Sequence, residues 1–466
     1  MAIARRSVLK LLASSSAAVT GLLGKNALAH GKDLVRDVAI IGGGAAGTYA
    51  ALRLRDQGSS VAVIERTGRL GGHAQTFHDP ASGAPIDIGV IVFPDNSLVR
   101  GYFGRFGQPL ITANFAGGQS QYVDFRTGRP VAAFQPGPSD LGGALFQYLQ
   151  IIGTRFPFLE QNGFQLPAPG PVLDELLLPF GQFAQKNGLN ALLPTFSQFE
   201  QGFGPLLEAT TLYVLKNMST TVVGALLNSS FLAAPLGVGG LYEAAATALA
   251  EDLLLDADIV NVARSGQGVR IRVSTEEGIR TIKARKLLFT APPLLCNLTE
   301  FDLDFRELAT LARFGAHNYW TAVAKIGGMP LGLSLVNAAA ETPFNLAPLP
   351  GIYSIGPSAA PGLYNVKFGS SVPIPDSLVQ LSIRAAVERV ATPAASSLDF
   401  QGFSIFKDHS PYSLVASPSQ IRAGFYRDLQ ALQGWNRTYY AGAAFQTHNS
   451  AAIWAYLEEL LPKLLA

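Results

Sequence analysis

The clearest hydrophobic pattern in the chain lies between Asp37 and Glu65. The run from Asp37 to Ile41 is short and apolar, which is typical of a strand buried on both faces. A helical run follows and stops at Gly58, and residues 61–64 form a second apolar run that leads into Glu65. The pattern therefore predicts a strand–helix–strand unit.

The turn between the first strand and the helix carries the spacing G-x-G-x-x-G. Gly42 permits a tight turn, Gly44 lets the backbone approach a pyrophosphate, and Gly47 lets the helix pack close to the strand. The helix N-terminus offers unpaired N–H groups and a positive dipole end to phosphates. Glu65 stands where the adenosine ribose hydroxyls need an acceptor, and an acid there disfavours NADP. The unit predicts dinucleotide binding, although 48 glycines in 466 residues also allow a Gly-rich loop in an ordinary α/β protein.

Two further segments show helical patterns. Residues 222–254 are the most apolar part of the chain and predict a pair of core helices. A final helix is predicted to run through Leu460, with Asn449 or Ser450 as its N-cap. Beyond the N-terminal extension, no stretch supplies about 18 clean apolar residues, so no transmembrane helix is predicted.

Composition agrees with a globular enzyme. A chain of 466 residues is long enough for two domains and a large core. Charged residues make up only 15%, and a net charge of +2 without a basic stripe gives no reason to expect nucleic acid. Cys296 is the one cysteine, which excludes an intrachain disulfide and a redox-active cysteine pair. It is predicted to be a small buried hydrophobe.

The first 29 residues have the pattern of a cleavable signal peptide. Arg5 and Arg6 precede an apolar run over residues 8–23, and residues 27–29 resemble a small-residue cleavage site. The arginine pair also fits the bacterial twin-arginine signal, so periplasmic export stays open beside the eukaryotic secretory route. We expect a secreted or lumenal protein. The secretory route would also make it a glycoprotein, with candidate acceptor sites at Asn217, Asn228, Asn297 and Asn436.

Three motifs lie outside this unit. Residues 69–73 read Arg-Leu-Gly-Gly-His, residues 86–89 read Ile-Asp-Ile-Gly, and residues 438–444 form an apolar strand that ends in small residues. Together with strands predicted over residues 257–262 and 286–293, they resemble the FAD-dependent amine oxidase and phytoene desaturase superfamily, the double-glycine flavoproteins. The resemblance implies that the cofactor is FAD.

The resemblance also implies which residues contact the cofactor. In that superfamily the double-glycine motif and the D-x-G strand lie along FAD, and the glycine after the last strand sits at the pyrophosphate. The last helix points its N-terminus at the flavin pyrimidine, where the dipole would stabilise negative charge. The full predicted set is Gly42, Gly44, Ala46, Gly47, Glu65, Arg69, Gly71, Gly72, His73, Asp87, Gly89, Val260, Gly442 and Ala452.

Further segments resemble a narrower group within the superfamily. They cover residues 177–183, 213–216, 239–243 and 424–434. They look like the group that contains the beta-cyclopiazonate dehydrogenase-like fungal enzymes and the bacterial polyenoic fatty acid isomerase. The similarity extends over most of the chain, is specific at the two ends and is loose in the middle.

The resemblance implies an α/β fold with a discontinuous, amine-oxidase-like architecture. A Rossmann-type FAD-binding domain would comprise residues 35–101, 235–298 and 425–465. A second, mixed α+β substrate domain would comprise residues 102–234 and 299–424, and the interface would hold the substrate against the flavin. Both stretches of the substrate domain are rich in aromatic residues. Most of these are predicted to be core, and the remainder would line an apolar tunnel for a hydrophobic substrate.

Candidate catalytic residues are few. No group of His, Cys, Asp or Glu has the spacing of metal ligands, so no metal is predicted. His73 stands where the isomerase has a lysine, and it is either a covalent flavin tether or a non-covalent residue in the place of the family's usual arginine. His448 and Tyr319 are the catalytic candidates, for proton transfer and as a pocket wall beside Trp320. Five of the six histidines are scattered along the chain: His73, His78, His317, His409 and His448.

Three functions remain open at this point. The first is a flavin oxidase or dehydrogenase that takes a hydride from a hydrophobic secondary metabolite, in a desaturation or an oxidative cyclisation. Molecular oxygen would be its final oxidant, because only one dinucleotide fingerprint is present. The second is a redox-neutral double-bond isomerase of polyunsaturated fatty acids, and the third is a non-catalytic flavin-binding protein. The sequence names neither the substrate nor the oligomeric state.

Overall fold

The computed structural model describes residues 33–114, 118–392 and 395–466, and the predicted signal peptide lies outside them. The strands of this part are β1 (Leu34–Ile41), β2 (Val61–Ile64), β3 (Thr76–His78), β4 (Pro85–Asp87), β5 (Phe93–Pro94), β6 (Ile111–Thr112), β7 (Gln119–Asp124), β8 (Arg129–Pro130), β9 (Phe231–Ala233), β10 (Leu253–Leu254), β11 (Asp258–Ser265), β12 (Gly268–Thr275), β13 (Gly278–Phe289), β14 (Gly315–Ala316), β15 (Asn318–Gly327), β16 (Leu333–Asn337), β17 (Gly351–Pro357), β18 (Leu363–Ser370), β19 (Asp399–Asp408), β20 (Leu414–Val415) and β21 (Thr438–Tyr440).

The α-helices are α1 (Ala45–Asp56), α2 (Ser97–Gly104), α3 (Pro138–Arg155), α4 (Pro171–Leu176), α5 (Phe180–Lys186), α6 (Leu193–Phe199), α7 (Thr211–Asn217), α8 (Thr220–Leu227), α9 (Gly239–Leu249), α10 (Phe305–Leu311), α11 (Asp376–Arg389), α12 (Pro418–Arg422), α13 (Phe425–Gln430) and α14 (Ser450–Leu465). Short 3₁₀ helices lie at Pro157–Glu160, Asn190–Leu192, Ala250–Asp252, Leu295–Asn297, Pro343–Asn345, Trp435–Arg437 and Ala443–Phe445.

The first sheet is built on the strand–helix–strand unit that the sequence predicts. It has seven strands in the order β10-β2-β1-β13-β12-β11, and β21 pairs with the C-terminal end of β13. β1 runs parallel to both β2 and β13. The second half of β1, from Val38 to Ile41, is buried, as expected of a strand covered on both faces. α1 ends just before Gly58, whose φ of 81° suits glycine. The predicted Rossmann-type unit is confirmed.

The last helix returns to the first sheet and covers α1. It begins after Asn449, whose Oδ1 accepts the Ala452 N–H at 3.2 Å, so Asn449 rather than Ser450 is the N-cap. Trp454 on this helix is fully buried, and its indole N–H donates to the Ala45 carbonyl oxygen at 3.2 Å. The predicted closing helix is therefore confirmed, including one of its two candidate caps.

The second sheet also has seven strands, in the order β19-β15-β18-β17-β16-β7-β8. Helix α11 covers one of its faces and shares a separate hydrophobic core with it. Trp320 belongs to this core, where it is 1% exposed and donates its indole N–H to Asp376 Oδ1 at 2.9 Å. The interpretation of Trp320 as a pocket wall is therefore wrong. Side chains alternate along β15, so its neighbour Tyr319 lies on the opposite face.

Helices α3 to α8 share the hydrophobic core of the first sheet and not that of the second. Their buried side chains belong to one core that is continuous with β1, β2, α1 and α14. The apolar segment 222–254 contains most of α8 and all of α9, which is the predicted pair of helices, and a short strand that was not predicted, β9, lies between them. No helix of the described residues is long and apolar enough to cross a membrane.

The strands divide between the two sheets in the same way as the predicted domains. Those of the first sheet come from residues 34–64, 253–289 and 438–440. Those of the second sheet come from residues 119–130 and 318–408. The domain boundaries themselves stay a prediction, since the shared core joins the helices of one predicted domain to the sheet of the other.

Cys296 differs from its prediction. It lies in the 3₁₀ helix Leu295–Asn297, which follows β13, and it is exposed. The prediction of a buried small hydrophobe was therefore wrong, because residue type alone does not show on which side of a surface turn a thiol lies.

Candidate active site

The turn between β1 and α1 has the shape that its glycine spacing predicts. Gly42 has a φ of 105°, and a Cβ on Gly47 would lie 1.9 Å from the Gly42 carbonyl oxygen. Glu65 holds this turn, since its Oε2 accepts the Gly43 N–H at 2.7 Å. Its Oε1 accepts the N–H and the hydroxyl of Thr67, each at 2.8 Å. Because a carboxylate has about four acceptor positions, Glu65 retains capacity for a ligand hydroxyl.

The double-glycine loop is joined to this turn through the backbone. Gly71 donates its N–H to the Gly43 carbonyl oxygen at 2.8 Å, and Gly44 and Gly71 form an isolated parallel bridge. A Cβ on Gly44 would find Gly72 Cα at 3.9 Å as its nearest neighbour. The space above Gly44 is therefore open within the described protein. We call the two loops together the glycine cradle.

Arg69 stabilises the second loop of the cradle. Its guanidinium donates hydrogen bonds of 2.7 to 3.1 Å to the carbonyl oxygens of Leu70, Gly72 and Ala74 and to Oε1 of Gln75. Burial lowers the pKa of Arg69. The hydrogen bonds of Arg69 hold the double-glycine loop in its conformation. A contact between Arg69 and a cofactor would be a second role.

The predicted D-x-G segment fixes the loop that carries His73. Asp87 Oδ1 accepts the Thr76 hydroxyl at 2.5 Å and the Val238 N–H at 3.0 Å, which ties the β3–β4 hairpin to the start of α9. Burial raises the pKa of Asp87. A Cβ on Gly89 would lie 1.7 Å from the His73 carbonyl oxygen, so only glycine permits this approach.

The remaining predicted cofactor residues differ in their surroundings. Ala46 is buried in the first turn of α1, and Gly442 has a φ of 106° directly after β21. The Ala452 N–H already donates to the Asn449 cap, so any hydrogen bond from it to a flavin competes with that cap. Val260 is the extra residue of a β-bulge in β11, and its side chain is 39% exposed.

Aromatic and imidazole rings from distant parts of the chain meet beside the His73 loop. The ring centre of His73 lies 4.8 Å from that of His409 and 5.4 Å from that of Tyr412. Tyr412 lies 4.3 Å from His448 and 4.9 Å from Tyr319. We call this group the aromatic cage, and its members are His73, Phe203, Tyr319, Tyr353, His409, Tyr412 and His448.

The cage imidazoles are uncharged at neutral pH. Burial lowers the pKa of His409 and of His448 to about 4. The pKa of His73 is also lowered, first by burial and then by the neighbouring imidazoles. A group with a pKa of about 4 is a weak proton acceptor at neutral pH. This weakens the interpretation of His448 as a base but leaves it in the wall of the cage.

A lysine that the sequence analysis did not single out lies on the same side of the second sheet. β18 places Lys367 directly opposite Thr321 of β15, and Thr321 shares a sheet face with Tyr319. The Thr321 hydroxyl donates to the Ile88 carbonyl oxygen at 2.6 Å, inside the D-x-G segment. Burial lowers the pKa of Lys367, and no carboxylate in the described part of the chain forms an ion pair with it.

The structure brings three histidines that are distant in the sequence into one cage together with Tyr319: His73, His409 and His448. His78 lies apart on β3, whereas His317 borders the cage through Gly204. Tyr412 was missed altogether, because a lone tyrosine after a strand carries no local signal. Across the described ranges, no group of three His, Cys, Asp or Glu side chains is arranged to hold a metal ion.

The glycine cradle fits an FAD molecule by its chemistry. Glu65 offers acceptor capacity to a ribose, the backbone at Gly44 is open to a pyrophosphate, and the N-terminus of α1 favours negative charge. The cage lies next to the loop that continues from Gly72 into His73. The candidate cofactor-binding loops and the aromatic cage are thus contiguous.

Comparisons with known proteins agree with this geometry. Residues 45–327 match the family described as flavin containing amine oxidoreductase. The chain is 35% identical over 439 residues to the FAD-dependent oxidoreductase dbaF of Emericella nidulans, covering 92% of this chain and 91% of that protein. It is 32% identical over 443 residues to the beta-cyclopiazonate dehydrogenase of Aspergillus oryzae, covering 94% and 96%. The crystal structure of a CLA-producing fatty acid isomerase from P. acnes has the same fold, with a TM-score of 0.75 at 18% identity over 92% of this chain and 99% of that one.

Proposed function

The chain belongs to the flavin containing amine oxidoreductase family and is an FAD-dependent oxidoreductase, and from this premise we propose that it oxidises a hydrophobic small molecule of secondary metabolism. The reaction would be a desaturation or an oxidative cyclisation. FAD, when bound, supplies hydride acceptance. The protein's own task is then to bind the substrate, orient one C–H bond and exclude water.

Most of the residues that we propose to hold FAD belong to the glycine cradle or lie next to it. The backbone at Gly44 and the first turn of α1 would bind the pyrophosphate, and Glu65 would accept hydrogen bonds from the ribose. Gly442 and the N-terminal turn of α14 would lie toward the flavin end, as in the superfamily that the sequence resembles. Arg69 would act by fixing the double-glycine loop.

The aromatic cage is the observation that carries the proposal about the substrate. Its rings carry no net charge at neutral pH, because burial lowers the pKa of each cage histidine. Walls of this kind favour a flat apolar molecule. The related beta-cyclopiazonate dehydrogenase is named for a dehydrogenation, which supports the same reaction class here.

Oxygen consumption tests the reaction type with two probes. The first probe is beta-cyclopiazonate, the compound for which a relative is named. We expect it to bleach the bound flavin in the absence of oxygen and to cause oxygen consumption when air is admitted. Linoleic acid, a polyunsaturated fatty acid, should do neither, because its flexible aliphatic chain does not match the flat aromatic rings of the cage. Isomerised linoleic acid without net oxygen uptake would contradict the proposal and favour the redox-neutral isomerase. A flavin that neither probe reduces would favour a non-catalytic flavin-binding protein.

We also propose export through the secretory pathway, on the signal-peptide pattern of residues 1–29. Among the acceptor sites, Asn228 is exposed at the end of α8, whereas Asn217 is 8% exposed with both amide atoms in hydrogen bonds. Expression in a secreting fungal host should therefore give a processed protein with a glycan at Asn228 and none at Asn217, as read by mass spectrometry. An unprocessed chain retained in the cytoplasm would contradict export.

A further inference from the structure

Glu200 is a buried carboxyl group beside the aromatic cage that the proposed function leaves unused. The residue is 2% exposed, and its Oε1 accepts a hydrogen bond from Asn217 Nδ2 at 2.7 Å. Its Oε2 has no hydrogen-bond partner among the described residues. No lysine, arginine or histidine of the described chain forms a salt bridge with it. Because buried polar atoms normally have partners, the free oxygen requires an explanation.

The segment that begins at Glu200 runs along the wall of the cage. Gly202 donates its N–H to the Tyr353 hydroxyl at 3.2 Å, and a Cβ on Gly202 would lie 2.6 Å from the Tyr412 ring. Phe203, the next residue, is itself a member of the cage. Glu200 therefore lies beside the aromatic cage rather than in a remote part of the core.

A second connection joins Glu200 to the turn before α14. Asn217 Oδ1 accepts the Thr447 hydroxyl at 3.0 Å, and Thr447 immediately precedes His448 of the cage. Because Oδ1 is used in this way, the Asn217 amide N–H is the group that donates to Glu200. Oε1 of Glu200 is therefore an acceptor, and Oε2 is the position left for a proton.

The surroundings of Glu200 keep this proton in place. Burial raises the pKa of Glu200 to about 8, and the hydrogen bond from Asn217 offsets only part of that shift. The titratable groups that face it are Tyr148, Tyr353 and Tyr412, and burial raises the pKa of each of these phenols. All of them are neutral below pH 8, and no charged side chain of the described residues contributes to the shift of the Glu200 pKa.

We propose that Glu200 binds the substrate as an undissociated acid and donates a hydrogen bond from Oε2 to a carbonyl oxygen of a flat molecule held in the aromatic cage. The inference rests on the proposed function, because it takes the cage as the substrate site. It narrows the substrate class to flat molecules that carry a carbonyl oxygen.

A pair of probes that differ only in the carbonyl group tests this inference. 2-Acetylnaphthalene carries the acceptor oxygen, and 2-ethylnaphthalene has nearly the same shape without it. Binding to the FAD-loaded enzyme is measured by calorimetry at pH 7, with no turnover required. We expect the ketone to bind about 10-fold more tightly than the hydrocarbon, the effect of one net hydrogen bond.

Two variants of Glu200 distinguish the effect of the hydrogen-bond donor at Oε2 from the effect of the size of the side chain. Glu200→Gln keeps an acceptor for Asn217 and a donor in the place of Oε2, so the preference for the ketone should persist. Glu200→Met removes the donor, and the two probes should then bind equally. Raising the pH above 8 should remove the preference in the natural enzyme and leave it in Glu200→Gln. The pH comparison alone decides the matter if Glu200→Met fails to fold.

Infrared spectroscopy provides a test without any ligand. The carbonyl band of a protonated carboxylic acid should be present in the natural enzyme at pH 7 and should be reduced in Glu200→Gln. Absence of that difference, failure of the ketone to bind, or an unchanged ketone preference in Glu200→Met would each overturn the inference. These readouts do not depend on turnover, so they fail or succeed separately from the proposed oxidation.

Discussion

Gly44→Ala is expected to weaken FAD binding by roughly 5- to 150-fold while the fold stays intact. Gly44 has φ −73° and ψ −167°, which alanine adopts without strain, and a Cβ there has 3.9 Å to its nearest neighbour in the protein. The added methyl group would instead occupy the space where the pyrophosphate approaches the backbone. Crowding of a close contact costs about 1–3 kcal/mol, which sets the expected loss in affinity.

Two other glycines serve as controls for this variant. Gly101→Ala changes a surface glycine of α2 with open space around it and should leave FAD binding unchanged. Gly47→Ala puts its Cβ 1.9 Å from the Gly42 carbonyl oxygen, so it should damage the turn itself and lower thermal stability as well. The measurements are FAD affinity by flavin fluorescence and the melting temperature of the apoprotein. Unchanged FAD affinity in Gly44→Ala would show that the pyrophosphate lies elsewhere.

Arg264→Ala is expected to lower the free energy of unfolding by about 3–5 kcal/mol. The Arg264 side chain is 1% exposed and donates to both oxygens of Glu307, at 2.5 and 2.8 Å, and to Asp302 at 2.7 Å. The Tyr440 hydroxyl also donates to Glu307, which links β11, α10 and β21. Removing the guanidinium would leave the fully buried Glu307 carboxylate without its cation, and that loss is the source of the cost.

Urea unfolding monitored by circular dichroism measures this effect. The matched control is Arg384→Ala, which removes an exposed i,i+4 pair with Glu388 and should cost less than about 1 kcal/mol. A loss below that value in Arg264→Ala would contradict a structural role for the buried network.

The cofactor half of the molecule could be read from the sequence because its signals are local. The strand, turn, helix and second strand between Asp37 and Glu65 follow one another without interruption, and the glycine spacing fixes the turn between them. Asn449 caps the last helix from within its own turn, and β21 joins the first sheet beside β13, within the predicted cofactor domain. The superfamily and the amine-oxidase-like fold are confirmed by the family match and by the solved structures.

The aromatic cage could not be read in the same way. Its rings come from the His73 loop, from the segment after α6, from β15 and β17, from the end of β19 and from the turn before α14. Only the pairing of the second sheet and the return of the last helix bring these positions together. Tyr319 and Trp320 are adjacent on β15, yet the side chain of Tyr319 lies in the cage and that of Trp320 lies in the core of the second sheet. Sequence alone does not show which of the two faces the cage. Glu200 was missed for the same reason, since its burial depends on contacts with distant segments.

The absorbance spectrum of the purified protein, recorded before and after acid precipitation, tests the central claim most directly. We expect a yellow protein with stoichiometric FAD. Flavin in the supernatant would mean non-covalent binding, and flavin in the pellet would mean a covalent link and make His73 the first residue to replace. A folded but colourless protein that binds no added FAD would contradict the account of the glycine cradle and of the chemistry that depends on it.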